Sequence, residues 1–360
     1  MVAAPTTSLP EALGGTRNWD YRYAWARDAS LTLEALWVAA CPDEAEHFFG
    51  FFATAAGTRL TSGDPLRIMY GVGGEQHLPE TELDHLEGYH GSRPVRVGNG
   101  AWDQVQLDVY GELLGAACQL IAQLGELDES TAGFLGDLAD AAVKRWKEPD
   151  QGIWEIRGEP RHFTHSKLMC WVAADRACSL GATIGASDAQ IGRWEKAREE
   201  IRDEITARTW NDSLGAFVQS FDSDELDASV LMMAIVGFLP ADDPRMRSTI
   251  ETIADQLSDE HGFVFRYRGD DDLDGDEGTF AMCTFWLAHC WALLGETERA
   301  RELCDRMVSC ANDVGLFSEE IGSTTGTLLG NFPQAFTHVG LVNAAWAIQV
   351  AERAGAAHIG

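Results

Sequence analysis

Apolar residues return at intervals of three and four through most of the chain, as in Leu107, Tyr110, Leu114, Ala117 and Ile121. That spacing sets them along one face of an α-helix. The pattern predicts helices over 28–40, 43–57, 102–124, 129–147, 164–181, 187–208, 224–237, 243–257, 278–293, 296–313 and 334–354. Several begin after Ser, Thr or Asp, and several end near glycine, such as Gly125, Gly181 and Gly295, as helix start and stop signals require. Strand-like stretches are few and short, at 67–72, 216–221 and 262–267. The connections alternate in length. Short turns join 28–40 to 43–57, 102–124 to 129–147 and 278–293 to 296–313, whereas 57–101, 147–162, 207–224, 256–277 and 315–333 are long. A toroid of helical hairpins produces this alternation, with its long loops gathered on one face, where binding and catalysis concentrate. No internal repeat and no linker rich in Pro, Gly or Ser divides the sequence, so one all-α domain over 1–360 is expected.

Composition narrows the function. With 45% hydrophobic and 9% aromatic residues, the 360-residue chain can fill a large core. Its 57 acidic residues against 27 basic ones give a net charge of −30, which argues against nucleic acid or an anionic membrane surface as a partner. No apolar run approaches the ~20 residues that span a bilayer. Only four cations are lysines (Lys144, Lys147, Lys167 and Lys196). An acidic, lysine-poor surface stays hydrated when salt screens its charges, so a halophilic source is expected. A GC-rich genome, which favours Arg over Lys, is the plainer alternative. None of the eight cysteines forms a C-x-x-C pair, and Cys118, Cys170, Cys178, Cys283 and Cys290 fall in apolar helical stretches. Buried, reduced thiols are expected rather than a disulfide framework or a zinc site. The start, MVAAPTTSLPEALGG, lacks the basic end and apolar core of a signal peptide, which favours a cytoplasmic location.

Four clusters in the loops carry chemistry. The first, 18–28, sets Trp19, Tyr21, Tyr23 and Trp25 beside Asp20, Arg22, Arg27 and Asp28. Aromatic faces cover the C–H surfaces of a sugar while carboxylates and guanidinium groups take its hydroxyls, although Asp28 also suits a helix start. The second, 98–108, places Trp102 beside Asp103, Gln104 and Asp108, which also suit a helix cap. The third, 152–158, puts Glu155 next to Trp154; a carboxyl against an indole loses water, its pKa rises, and it can serve as a general acid. His162 and His165 follow, with no third ligand at a metal-binding spacing. The fourth, 315–321, holds Glu319 and Glu320 in another long loop. Two carboxylates from distant loops are what glycoside hydrolysis uses.

The segments NWDYRYAWARDASLTLEAL (18–36), GSRPVRVGNGAWDQVQLDVYGE (91–112), GIWEIRGEPRHFTHSKLMCWVAADRA (152–177), EGTFAMCTFWLAHCWALLG (277–295) and GLFSEEIGSTTGTLLGNFPQAFTHVGLVNAA (315–345) together resemble the catalytic domain of glycoside hydrolase family 15. That family holds glucoamylases, glucodextranases and bacterial or archaeal trehalases. The resemblance spans 3–350 and implies an (α/α)6 barrel. It implies Glu155 as general acid and Glu319 as general base, with Arg27 and Asp28 holding the terminal glucose. Arg266 would help fix the sugar, Trp102 and Trp154 would line the pocket, and Glu320 would join the substrate contacts. Glu320 and Glu159 compete for the two catalytic places. Inversion is implied, with the two carboxyls about 6.5–9.5 Å apart, Glu155 in the drier environment and Glu319 near positive charge or donors. No cofactor and no metal are called for.

Relative to the family, the sequence looks like a barrel short of its first helix and of the N-terminal β-sandwich of prokaryotic relatives. Such an open barrel would expose apolar helix faces and invite association with a segment that completes it. The expected activity is exo-acting, glucoamylase-like release of glucose from an α-glucan or maltooligosaccharide. The alternatives are an α,α-trehalase acting on trehalose, or a non-catalytic, sugar-binding relic.

Overall fold

The structure is a computed structural model describing residues 1–124, 127–269 and 277–357. Its helices are α1 (Ala29–Val38), α2 (Pro42–Ser62), α3 (Asp108–Leu124), α4 (Glu129–Arg145), α5 (Thr164–Leu180), α6 (Asp188–Arg208), α7 (Met232–Ile235), α8 (Pro244–Gln256), α9 (Ala281–Leu293), α10 (Thr297–Val308) and α11 (Ala335–Ala357). An inner ring runs α1, α3, α5, the 228–235 segment, α9 and α11, each packed on the next, and α11 returns to pack on α1. Outside it, α2 bridges α1 and α3, α4 bridges α3 and α5, α6 lies on α5, α8 lies on the 228–235 segment and α9, and α10 bridges α9 and α11.

The sequence decides which layer each helix joins. In α5 every residue from Thr164 to Ala174 is buried, and α9 is buried from Ala281 to Ala288. A helix apolar on all sides, as α9 is, belongs inside, and α5 joins it although its first turn buries the polar Thr164, His165, Ser166 and Lys167. By contrast α8 buries only Met246, Thr249, Ile250 and Ile253, and α10 only Ala300, Leu303, Cys304 and Met307. Those three- and four-residue steps make a single buried stripe with the opposite face in water.

Four expectations need correction. The helix expected over 224–237 is a 3-10 turn, Ala228–Leu231, followed by the single turn of α7. Asp227 caps it by accepting from the Ser229 N–H at 2.7 Å, and Gly237 ends it with a left-handed φ of 79°. The helix expected from 102 starts at Asp108, because 99–107 is loop. The strand expected over 262–267 is reduced to isolated bridges, Ser258 to Val264 and Asp227 to Tyr267. The other strand-like stretches contribute β2 (Met69–Tyr70) and β6 (Ala216–Phe217); between them lie β3 (Thr81–Glu82), β4 (Arg96–Val97) and β5 (Trp210–Asn211). Nor is the barrel open. The inner ring closes, and what is unfilled among the described residues is the outer position over the α11–α1 seam, where Trp37, Trp346 and Val350 are exposed.

The long connections meet at one end of the ring. There β1 (Ala24–Trp25) pairs antiparallel with β2, and β7 (Thr279–Phe280), β8 (Glu320–Ile321) and β9 (Leu328–Leu329) form a three-stranded sheet with Phe280 opposite Glu320 and Glu320 opposite Leu329. The N-terminal segment folds back on 18–23 through Ala3, Ala4 and Ser8 N–H groups. It is pinned to the 328–335 loop by Gly330 N–H to Pro10 O (2.8 Å) and Ala335 N–H to Ala3 O (2.8 Å). No helix among the described residues is long and apolar enough to cross a membrane. All eight cysteines are free thiols, with Cys170, Cys283, Cys290 and Cys304 buried.

Candidate active site

At the loop end of the ring lies a cleft lined by Tyr21, Trp25, Arg27, Asp28, Trp154, Glu155, Arg266 and Glu319, among others. Segments far apart in sequence thus supply one site, because each precedes or follows an inner helix at the same end.

Glu155 sits in the loop after Gly152 with a left-handed φ of 58°, a conformation that costs a side chain with a Cβ about 1–3 kcal/mol. The turn is held by Glu155 N–H to Gly152 O (3.3 Å) and by the Gln104 amide donating to Glu155 O (3.2 Å). Its carboxylate is held from one side only. Trp25 Nε1–H donates to Oε1 at 2.6 Å, and Arg27 Nη1 donates to the same oxygen at 3.4 Å. Oε2 makes no hydrogen bond among the described residues. Arg27 also donates to the Ile153 carbonyl, and its Nε lies 3.6 Å from Asp28 Oδ1. Burial raises the Asp28 carboxyl to about 6, against the lowering by Arg27.

Glu319 sits just before β8 and receives the Tyr21 hydroxyl on Oε1 at 2.6 Å. Its Oε2 is buried with no hydrogen-bond partner. Burial raises its carboxyl to about 7, while the Tyr21 hydrogen bond and nearby Arg266 favour the ionised form. Gly330 permits this placement: its φ is 75°, and a Cβ there would fall 2.7 Å from Glu319 Oε2. The Tyr21 and Trp25 rings touch edge to face, with centroids 5.5 Å apart. One aromatic pair therefore holds both carboxylates, each through one hydrogen bond.

Arg266 donates to Glu277 from Nε at 3.1 Å and from Nη2, and its guanidinium lies 5.6 Å from the Trp154 ring and 5.2 Å from Phe280. Trp154 donates Nε1–H to both oxygens of buried Asp227, at 3.0 and 2.9 Å.

Some expected site residues stand elsewhere. Trp102 does not line the cleft. Asn99 and Ala101 do, and the Trp102 indole instead meets His77 edge-on at 4.7 Å with the Arg67 guanidinium 4.7 Å over it. Glu320 is wholly buried outside the lining, accepting Gly278 N–H at 2.8 Å, with Oε1 3.9 Å from Arg266. Successive residues entering a strand face opposite sides, so Glu319 and Glu320 cannot both face the cleft. Glu159 is exposed. His165 is buried on α5 with Nδ1 3.9 Å from Asp108, and His162 stacks on Phe221. The order of dryness is also reversed: the Glu155 side chain is 19% exposed, whereas Glu319 is 3%. Glu155 stands nearer to solvent, and Glu319 is enclosed beside Tyr21 and Gly330.

Sequence analysis missed Glu11. It is buried in the cleft wall, takes the Trp19 indole N–H at 2.8 Å, and its carboxyl is raised by burial and by neighbouring carboxylates. The motif pattern gave no sign of it, because the stretch 1–17 reads as a plain loop.

The ring architecture has well-determined counterparts. A wild-type glycosidase superposes with a TM-score of 0.73 at 21% identity, covering 97% of this chain and 91% of that one. A bacterial glucoamylase complexed with acarbose superposes at 0.75 and 15% identity, covering 97% and 52%. These define the class by fold, the (α/α)6 toroid. The model of glycosyl hydrolases family 15 matches residues 1–346, and the chain belongs to that family. The trehalase of Mycolicibacterium smegmatis is 48% identical over 96% of this chain and 52% of its own length. The trehalase of Thermoplasma acidophilum is 40% identical over 96% and 58%. The chain spans about half the length of the curated relatives it matches.

Proposed function

We propose that this chain carries the catalytic unit of an inverting α-glucoside hydrolase whose substrate is α,α-trehalose. The observation that carries the chemistry is the pairing of Glu155 and Glu319 across the Tyr21–Trp25 pair, each with one oxygen held and the other free. Trehalose takes precedence over the glucoamylase-like expectation on sequence likeness. Relatives 34% to 48% identical are trehalases, whereas the likeness to glucoamylase, at 15% identity, carries the fold alone.

Arg27 and Asp28, in the depth of the cleft, hold the hydroxyls of the first glucose. Glu319 takes a proton from water through Oε2 as that water's oxygen bonds to the anomeric carbon. The bond from that carbon to the bridging oxygen breaks, and Glu155 gives its proton to the bridging oxygen. Two glucose molecules result, the attacked one first as the β-anomer. Arg266, fixed by Glu277, supplies positive charge beside Glu319 and favours its ionised form.

The test is glucose release from trehalose, maltose and soluble starch, with the first-formed anomer read by proton NMR. Trehalose should be preferred, β-glucose should appear first, and Glu155→Gln and Glu319→Gln should each lower kcat by about 10³-fold or more. Near-normal turnover by either variant would remove the catalytic assignment. No release from any substrate by folded protein would favour the sugar-binding relic, and preference for maltose or starch would restore the glucoamylase-like expectation.

A further inference from the structure

Two residues beyond Glu155, the cleft wall carries a guanidinium that the hydrolytic chemistry leaves unused. Arg157 lines the cleft with its side chain 39% exposed, outside the buried Arg27 and Asp28. Its guanidinium lies over the Trp19 indole, 4.4 Å from the ring centroid, and the Arg96 guanidinium also packs on that ring at 4.7 Å. Such stacking fixes the plane of an arginine fork while its N–H groups stay free at the edge. Glu80 steers the assembly. Its Oε2 lies 3.6 Å from Arg157 Nη2 and accepts Gly100 N–H at 3.0 Å, and its Oε1 lies 3.2 Å from Arg96 Nε. The indole is itself anchored by its N–H to Glu11. Among the described residues, no acceptor takes a hydrogen bond from Arg157. A fork with five N–H donors, steered by Glu80 but with no hydrogen-bonded acceptor among the described residues, suits a pair of neighbouring hydroxyls.

Position says which hydroxyls. The first glucose occupies the buried end by Arg27 and Asp28, and Glu155 delivers its proton to the bridging oxygen. The departing sugar therefore lies on the mouth side of Glu155, where Arg157 stands. We propose that Arg157, stacked on Trp19 and steered by Glu80, binds the hydroxyls of the departing sugar and so selects which α-glucosides the cleft hydrolyses.

This rests on the hydrolase assignment above, and its test separates the two. α-Glucosyl fluoride has a one-atom leaving group that cannot reach Arg157, whereas trehalose presents a whole sugar. Arg157→Met keeps an apolar stem over Trp19 and removes the donors. The ratio of kcat/KM for trehalose to that for the fluoride should fall about 10- to 100-fold, the range of hydrogen bonds to a charged group. An unchanged ratio overturns the proposal, including the case where both rates fall together. Should Arg157→Met fail to fold, Arg157→Lys keeps the charge but not the fork, and the same ratio should fall about 10-fold. If wild-type protein prefers maltose, the trehalose assignment fails on that result alone, and the ratio with maltose then tests Arg157. If no disaccharide is turned over, calorimetric binding of trehalose to Glu155→Gln decides. Adding Arg157→Met should raise Kd about 10-fold or more, and an unchanged Kd overturns the proposal.

Discussion

Tyr21→Phe removes one atom, the hydroxyl that donates to Glu319 Oε1 at 2.6 Å. The effect should be larger than that of a lost surface hydrogen bond, because Glu319 is buried and its other oxygen has no partner. The Tyr21 hydrogen bond is a named stabiliser of the ionised carboxyl, opposing the burial that lifts it to about 7. A hydrogen bond to a charged group is worth about 1.5–3 kcal/mol, and about 1.4 kcal/mol corresponds to one pH unit in a pKa. The variant should therefore move Glu319 upward by about one to two pH units. As the proposed base, Glu319 acts only when ionised, so the acid limb of kcat/KM should move upward by the same amount. Well below that limb the rate should fall about 10- to 100-fold, and much of it should return in alkaline solution. The assay is kcat/KM on trehalose from about pH 5 to about pH 9.5, with circular dichroism to confirm folding. Loss of activity by one constant factor, with the acid limb unmoved, would refute the idea that Tyr21 sets the ionisation of the base.

Other expectations follow from buried charge and from the surface. Asp108 is buried with neither side-chain oxygen hydrogen-bonded, and burial raises it to about 7. A folded-state pKa above the unfolded one gives stability that is full below the ordinary carboxylate range and lost as pH rises toward about 7. Asp108→Asn should flatten the decline of Tm between about pH 4 and about pH 7 relative to wild type; an unchanged slope would count against a proton held there. If the acidic, lysine-poor composition reflects salt adaptation, Tm should rise as KCl approaches molar concentration, and a steady fall would exclude that origin.

Helix positions were legible because the 3.6-residue period is local and strong in α8 and α10. The site segments were legible because sugar chemistry concentrates Trp, Arg and carboxylates in long loops. The inner segment at 228–235 was not, since its apolar pattern continues past the point where Gly237 and the Asp227 cap confine it. Which face a loop residue presents was also hidden. Ala101, not Trp102, reaches the cleft, and Glu319, not Glu320, faces it. Both outcomes depend on backbone direction within a turn or strand rather than on residue type. Tyr21 owes its role to a hydrogen bond with Glu319, a residue about 300 positions away, and Glu11 feels the charge of the same distant residue; no spacing rule reaches that far.

The left-handed backbone at Glu155 sets two demands on one residue at odds. Glycine, or asparagine among side chains with a Cβ, accepts that conformation more readily than glutamate does, yet neither can deliver the proton proposed to come from Glu155. A directed-evolution campaign that screens this protein for heat resistance alone would therefore drift away from glutamate at 155. Its hardiest survivors would be inert, so thermal screening needs a parallel screen for turnover.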